Sequence, residues 1–162
     1  MELDDIDWAI LGELQADGRV AFRELGRRVG LSAPAVAARV KRLADAEIIT
    51  GYKAVLDLEH LGVDVLAFVR VSVGGGRQSI YEQVIETARS IPEVIDLYTV
   101  SGAETFLLKV AMRSVGDLES VLRPMWQFGD TITGVVMSEP IADRPIVREM
   151  VDRADPAPKR RR

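Results

Sequence analysis

Apolar side chains recur between residues 3 and 43 with the spacing of helices. Leu3, Ile6, Ile10 and Leu14 share one face of a first helix, which Asp4 or Asp5 can cap and Asp17-Gly18 can end. Phe22, Leu25 and Val29 mark a second, shorter helix closed by Gly30. Ser32 is placed to cap a third, in which Val36, Val40 and Leu43 repeat at i, i+4 and i+7. Pro34 lies in its first turn, where a missing N–H leaves nothing unsatisfied. Three short helices with a tight Gly30-Leu31-Ser32 turn between the last two have the pattern of a helix-turn-helix. Glu47 stands where a helix stop usually places Gly. Either the third helix runs on, or Glu47 is held left-handed at a cost of about 1 kcal/mol. Residues beyond it read as extended, with 51–63 as a wing and linker strand.

After Gly62 the period changes to two. Val65, Ala67, Val69, Val71 and Val73 alternate along one face of a strand, with Leu66 and Phe68 on the other. Gly74-Gly75-Gly76 makes a turn. A helix follows, capped by Ser79 with Glu82 three residues on, and carrying Ile80, Val84, Ala88 and Ile91 on one stripe. Strands over 94–100 and 105–112 are joined by Ser101-Gly102-Ala103-Glu104, hence a hairpin. Ser114, with Asp117 three residues on, opens a helix bearing Leu118, Val121, Leu122 and Met125, and 132–137 supplies a last strand. The order βαββαβ is the ferredoxin-like one, with four antiparallel strands and both helices on one face. The class is therefore α+β. The parts are a helix-turn-helix over 1–50, the linker 51–63, a ferredoxin-like domain over 64–142 and an extension over 143–162 with a basic, disordered tail. The other sheet face, with Leu66 and Phe68, is too apolar to stay exposed on a monomer, so a homodimer through the sheet faces is expected.

Charge sharpens this picture. The 162-residue chain has a net charge of −4, yet residues 18–42 carry seven cations (Arg19, Arg23, Arg27, Arg28, Arg39, Lys41, Arg42) against one acid, Glu24. A locally cationic helix-turn-helix in an acidic protein points to double-stranded DNA. With Val36, Val40 and Leu43 buried, the third helix turns Pro34, Ala38, Lys41 and Arg42 outward, with Ala35 and Arg39 at one edge. Ser32, Pro34, Ala35, Ala38, Arg39, Lys41, Arg42 and Arg28 are the candidate DNA-contacting residues. Arg42 is the candidate reader of a guanine edge and Lys41 a phosphate contact. The alternative is an ordinary helix with a solvated basic face. Alanines read at most a thymine methyl, so such a helix discriminates weakly unless several copies are tied together.

Other features narrow the class. The acidic start MELDDIDW is no signal peptide, no apolar run has the length of a membrane span, and the absence of cysteine suits a cytoplasmic protein. His60 is the sole histidine, so neither a metal site nor a nucleophile–base pair is expected, and no cofactor or enzymatic activity with them. Gly74-Gly75-Gly76 lacks the Lys-Ser/Thr ending of a phosphate loop and reads as a connection. Lys159 to Arg162 either touch DNA or keep the chain soluble.

The pieces LDDIDWAIL (3–11), DGRVAFRELGRRVGLS (17–32), RVKRL (39–43), IITGYKAVLD (48–57) and VSGAETFLLKV (100–110) together resemble the Lrp/AsnC, or feast/famine, transcriptional regulators along almost the whole chain. The resemblance implies an N-terminal DNA-binding domain and a C-terminal domain that regulates amino-acid metabolism. It also implies dimers that assemble to tetramers or octamers, and an amino-acid effector bound between dimers. On that resemblance Ser101, Gly102, Ala103 and Glu104 are candidate effector contacts, with Thr133, Gly134, Val135 and Val136 as partners from a neighbouring subunit. Glu104 stands where Asp is usual, and Thr133-Gly134 where Pro-Gly is usual. Turn N–H groups can hold a carboxylate and a side-chain carboxylate an ammonium; a hairpin turn also uses Gly for backbone reasons alone. Two other classes remain: a DNA-organising protein without effector control, and a regulatory subunit of an amino-acid enzyme.

Overall fold

A computed structural model describes residues 2–73, 78–101 and 106–152. The turns expected at Gly74-Gly75-Gly76 and Gly102-Ala103-Glu104, and the tail from Asp155 on, lie outside these residues. The chain divides into two units, one made of 1–55 with 141–162, the other of 56–140.

In the first unit three helices form where the apolar periodicity places them: α1 (Asp5–Ala16), α2 (Phe22–Val29) and α3 (Ala33–Asp45). Asp4 caps α1. Its carboxylate accepts the Asp7 N–H at 2.8 Å, and the Asp7 carboxylate accepts the Asp4 N–H at 3.2 Å, a reciprocal box that satisfies two otherwise orphan donors. Gly30 ends α2 in the left-handed conformation. Gly26, inside α2, is required by the turn: a Cβ there would come closer than 3.0 Å to the Leu31 carbonyl oxygen. Ile10, Leu25, Val36, Val40 and Leu43 are the buried apolar core. Phe22, expected on the buried face, is exposed at the first position of α2.

Glu47 takes the second of its two expected courses. α3 stops at Asp45 and Glu47 has φ 57°. The Glu47 N–H donates to the Ala44 carbonyl at 2.9 Å and the Ile48 N–H to the Leu43 carbonyl at 2.9 Å, the paired bonds of a left-handed helix stop. The expected strand over 51–63 does not form; among the described residues this stretch holds only a 3₁₀ turn, Glu59–Leu61. An extended run forms a strand only when another strand accepts its backbone groups.

The second unit is a four-stranded antiparallel sheet in the order β2-β3-β1-β4, with β1 (Val65–Val73), β2 (Val94–Thr99), β3 (Phe106–Met112) and β4 (Gly129–Val135). Ala67, Val69 and Val71 of β1 lie beside Phe106, Leu108 and Val110 of β3, all buried under α4 (Gln78–Arg89) and α5 (Leu118–Leu122). Ser79 proves to lie within α4 rather than to cap it. The box at Ser114 and Asp117 exists, but it opens a 3₁₀ turn, and α5 is only five residues long. Pro124 follows in a second 3₁₀ turn, since proline has no N–H to continue the ladder. β4 begins three residues earlier than the apolar pattern indicates. Gly129 allows this, because a Cβ there would collide with the Ser72 carbonyl across the sheet. On the uncovered face, Phe68, Tyr98 and Ile132 are exposed and alternate with Arg70 and Asp96.

Candidate nucleic-acid interface

The third helix presents the face its sequence implies. Ser32 caps it, its hydroxyl accepting the Ala35 N–H at 3.4 Å. Ser32, Pro34, Ala38, Lys41 and Arg42 are exposed, and Ala35 and Arg39 are half-buried at the edge. The turn from α2 into α3 leaves a shallow cleft lined by Arg23, Glu24, Arg27, Leu31 and Ser32. Small residues on α3 beside cations on α2 form a surface that a phosphate backbone can approach closely.

The cations differ in how firmly they are held. Arg27 pairs with Glu24 at 2.7 Å, while Arg28 reaches Glu13 at 2.6 Å and Glu24 at 2.9 Å. Hydrogen bonds from Arg27, and then from Arg28, hold the Glu24 carboxyl down to about 2. Lys41 pairs with exposed Asp45 one turn on, at 2.6 Å. Arg39 bonds Asp4 at 2.7 Å and Asp7 at 2.8 Å, and Arg42 bonds Asp7 at 2.6 Å. The Arg39 guanidinium holds the Asp4 carboxyl below its ordinary value of 3.8. Among the described residues, Arg19 and Arg23 are the cations of this stretch with no ion pair.

Of the sequence candidates, Ser32, Pro34, Ala35, Ala38 and Lys41 thus lie together on one face, whereas the guanidiniums of Arg28, Arg39 and Arg42 are engaged by carboxylates of α1 and α2. Sequence reading passed over Arg23, and it passed over Asp7. The signal for Asp7 was present: Asp4 and Asp7 have capping-box spacing, and Arg39 and Arg42 stand three apart, hence on adjacent turns of one helix side.

The second set of candidates is spread across the sheet. Ser101 is exposed just past the end of β2. Thr133, Gly134 and Val135 belong to β4, and the Val136 N–H donates to the Leu66 carbonyl at 2.8 Å. Thr133 and Val135 lie opposite Val69 and Ala67 on the helix-covered side, and Gly134 opposite Phe68 on the open side. β2 and β4 are the two outer strands, three inter-strand steps or about 14 Å apart. One chain therefore does not bring Ser101 and Thr133–Val136 together.

Known proteins share both halves. Residues 3–44 match the AsnC-type helix-turn-helix domain, and residues 66–146 match the Lrp/AsnC ligand binding domain. The HTH-type transcriptional regulator LrpC of Bacillus subtilis is 33% identical over 86% of this chain and 94% of its own length. The leucine-responsive regulatory protein of Escherichia coli is 36% identical over 85% of this chain and 87% of its own. Among solved structures, a Neisseria meningitidis transcriptional regulator in complex with L-Met superposes with a TM-score of 0.85, at 28% identity, over 93% of this chain and 99% of that one. A capped three-helix head with a cationic flank and a βαββαβ body, matched in order along the chain, places it with them: the chain belongs to the Lrp/AsnC family of transcriptional regulators.

Proposed function

We propose that this regulator reads DNA through the outer stripe of α3 and answers to a free amino acid bound by its sheet domain. In this reading Ser32, Pro34, Ala35 and Ala38 allow α3 to approach the major groove closely. Lys41 meets a phosphate, since its pairing with Asp45 is exposed and weak, and Arg23 and Arg27 flank the same backbone. Ser101, Gly102, Ala103 and Glu104 hold the effector, and Thr133, Gly134, Val135 and Val136 of another copy close the pocket. The observation that carries the assembly is the exposed apolar face bearing Phe68, Tyr98 and Ile132, which a second copy would cover. Copies paired into dimers, and dimers into tetramers or octamers, give a weakly discriminating head the avidity to select a site. The names of the relatives, leucine-responsive and bound to L-Met, support an amino acid as effector.

Fluorescence anisotropy on upstream duplex, repeated with each of the twenty amino acids and paired with sedimentation velocity, tests this. One amino acid or a small group should shift the DNA affinity or the assembly state at least several-fold. DNA binding that no amino acid moves would favour the DNA-organising alternative, and a particle that stays monomeric across a concentration series would remove the sheet-face dimer.

A further inference from the structure

Two of the three cations in the C-terminal half of α3 do not point along its exposed stripe. Pro34, Ala38 and Arg42 stand at i, i+4 and i+8, one above another on the outer face. The Arg42 guanidinium leaves that stripe, its Nη2 lying 2.7 and 2.6 Å from the two carboxylate oxygens of Asp7. Arg39, one edge over, donates from Nη1 to Asp7 Oδ1 at 2.8 Å and to both Asp4 oxygens at 2.9 and 2.7 Å. Asp7 is 1% exposed, and among the described residues it is the one buried charged side chain. A carboxylate withdrawn from water holds its counter-ions firmly, because leaving it unpaired forfeits both hydration and the ion pair. Lys41 contrasts with this: its partner Asp45 is exposed, so a phosphate can replace it.

We infer that Asp7 is a positioning residue that withholds Arg42 from DNA and keeps the outer stripe of α3 poor in free charge. The inference rests on the reading that this stripe faces DNA. Each phosphate a head neutralises adds non-specific affinity and steepens the fall of log K with log salt by about 0.9. A head that must discriminate with small side chains gains selectivity by keeping that indiscriminate contribution low. Among the described residues Arg42 has Asp7 as its sole ion-pair partner, whereas Arg39 keeps Asp4 if Asp7 is lost. Removing the Asp7 charge therefore frees one cation per head, not two.

The test is anisotropy on a random-sequence duplex between 50 and 200 mM salt, with the full chain and its Asp7→Asn, Arg42→Gln and double variants. Asp7→Asn should steepen the salt slope by about 0.9 per bound head, widening the affinity ratio between the two salt concentrations about three- to fourfold. Arg42→Gln alone should leave the slope of the parent chain unchanged, and the double variant should return to it. Thermal melts separate this from simple destabilisation: both single variants lower Tm by breaking the pair, and a structural role alone moves no salt slope. An Asp7→Asn slope equal to that of the parent overturns the inference. So does a flatter slope for Arg42→Gln, because Arg42 would then already touch phosphate. Should Asp7→Asn fail to fold, the Arg42→Gln slope decides alone. A parent chain that binds no duplex would sink the DNA reading of the stripe, whereas binding without an Asp7 effect sinks this inference only.

Discussion

The helical head and the sheet domain close their interiors by different means. Among the described residues the head buries five apolar side chains, Ile10, Leu25, Val36, Val40 and Leu43, and beside them the carboxylate of Asp7, which the half-buried Arg39 and the exposed Arg42 pair from the outside. Among the described residues the sheet domain buries thirteen apolar side chains and no charged one. With so few apolar side chains inside, the head takes more of its definition from caps and ion pairs. The sheet domain relies on apolar burial, and it carries enough apolar residues that Phe68, Tyr98 and Ile132 remain exposed on its second face. Charge in the head is sorted by the depth of the carboxylate: the buried Asp7 ties Arg39 and Arg42 of α3 to α1, whereas the exposed Asp45 leaves Lys41 exchangeable.

The comparison can be broken or sharpened by substitution. The largest effect belongs to the body. Phe106 is fully buried, with its ring 5.2 Å from that of Tyr81, and Phe106→Ala should cost about 3–5 kcal/mol in urea unfolding. A loss under about 1 kcal/mol would mean that the sheet core is not what holds that half together. Next comes the head, where Gly26→Ala adds a methyl against the Leu31 carbonyl and should cost about 1–3 kcal/mol despite the better helix propensity of alanine. A variant as stable as the parent would show that the turn can yield. The smallest effect is a gain. Glu47→Gly relieves the left-handed backbone at the end of α3 and should stabilise the head by about 0.5–1 kcal/mol, seen as a higher denaturation midpoint. A lower midpoint would mean that the Glu47 side chain itself contributes to the fold.

Much of this was legible before any coordinates. The ends of the first two helices and the Ser32 cap follow from local side-chain chemistry, which acts over a few residues, and Glu47 stands out as an unusual stop with two possible courses, between which the structure decides. The alternation in β1 likewise places Ala67, Val69 and Val71 inside. What escaped were matters of partnership. The stretch 51–63 has the extended look of a strand but no strand beside it. Arg39 and Arg42 read as free cations because their partner lies on α1, more than thirty residues earlier in the chain. The extension after Pro140 gives no sign in its own pattern that it belongs with the head. Yet Gln15 and Ile146 exchange hydrogen bonds at 3.0 and 2.8 Å, and Arg148 pairs with Asp5.

The amino-acid sequence by itself determined the three helices of the head, the βαββαβ order of the body and the family to which the chain belongs, because periodicity, turn residues and motif spacing are local properties. Only the tertiary structure decided which charges are spent inside and which stay available. It also decided that Ser101 and Thr133–Val136 lie at opposite edges of the sheet. Both depend on what stands across a helix interface or a sheet, and that distance is not written along the chain.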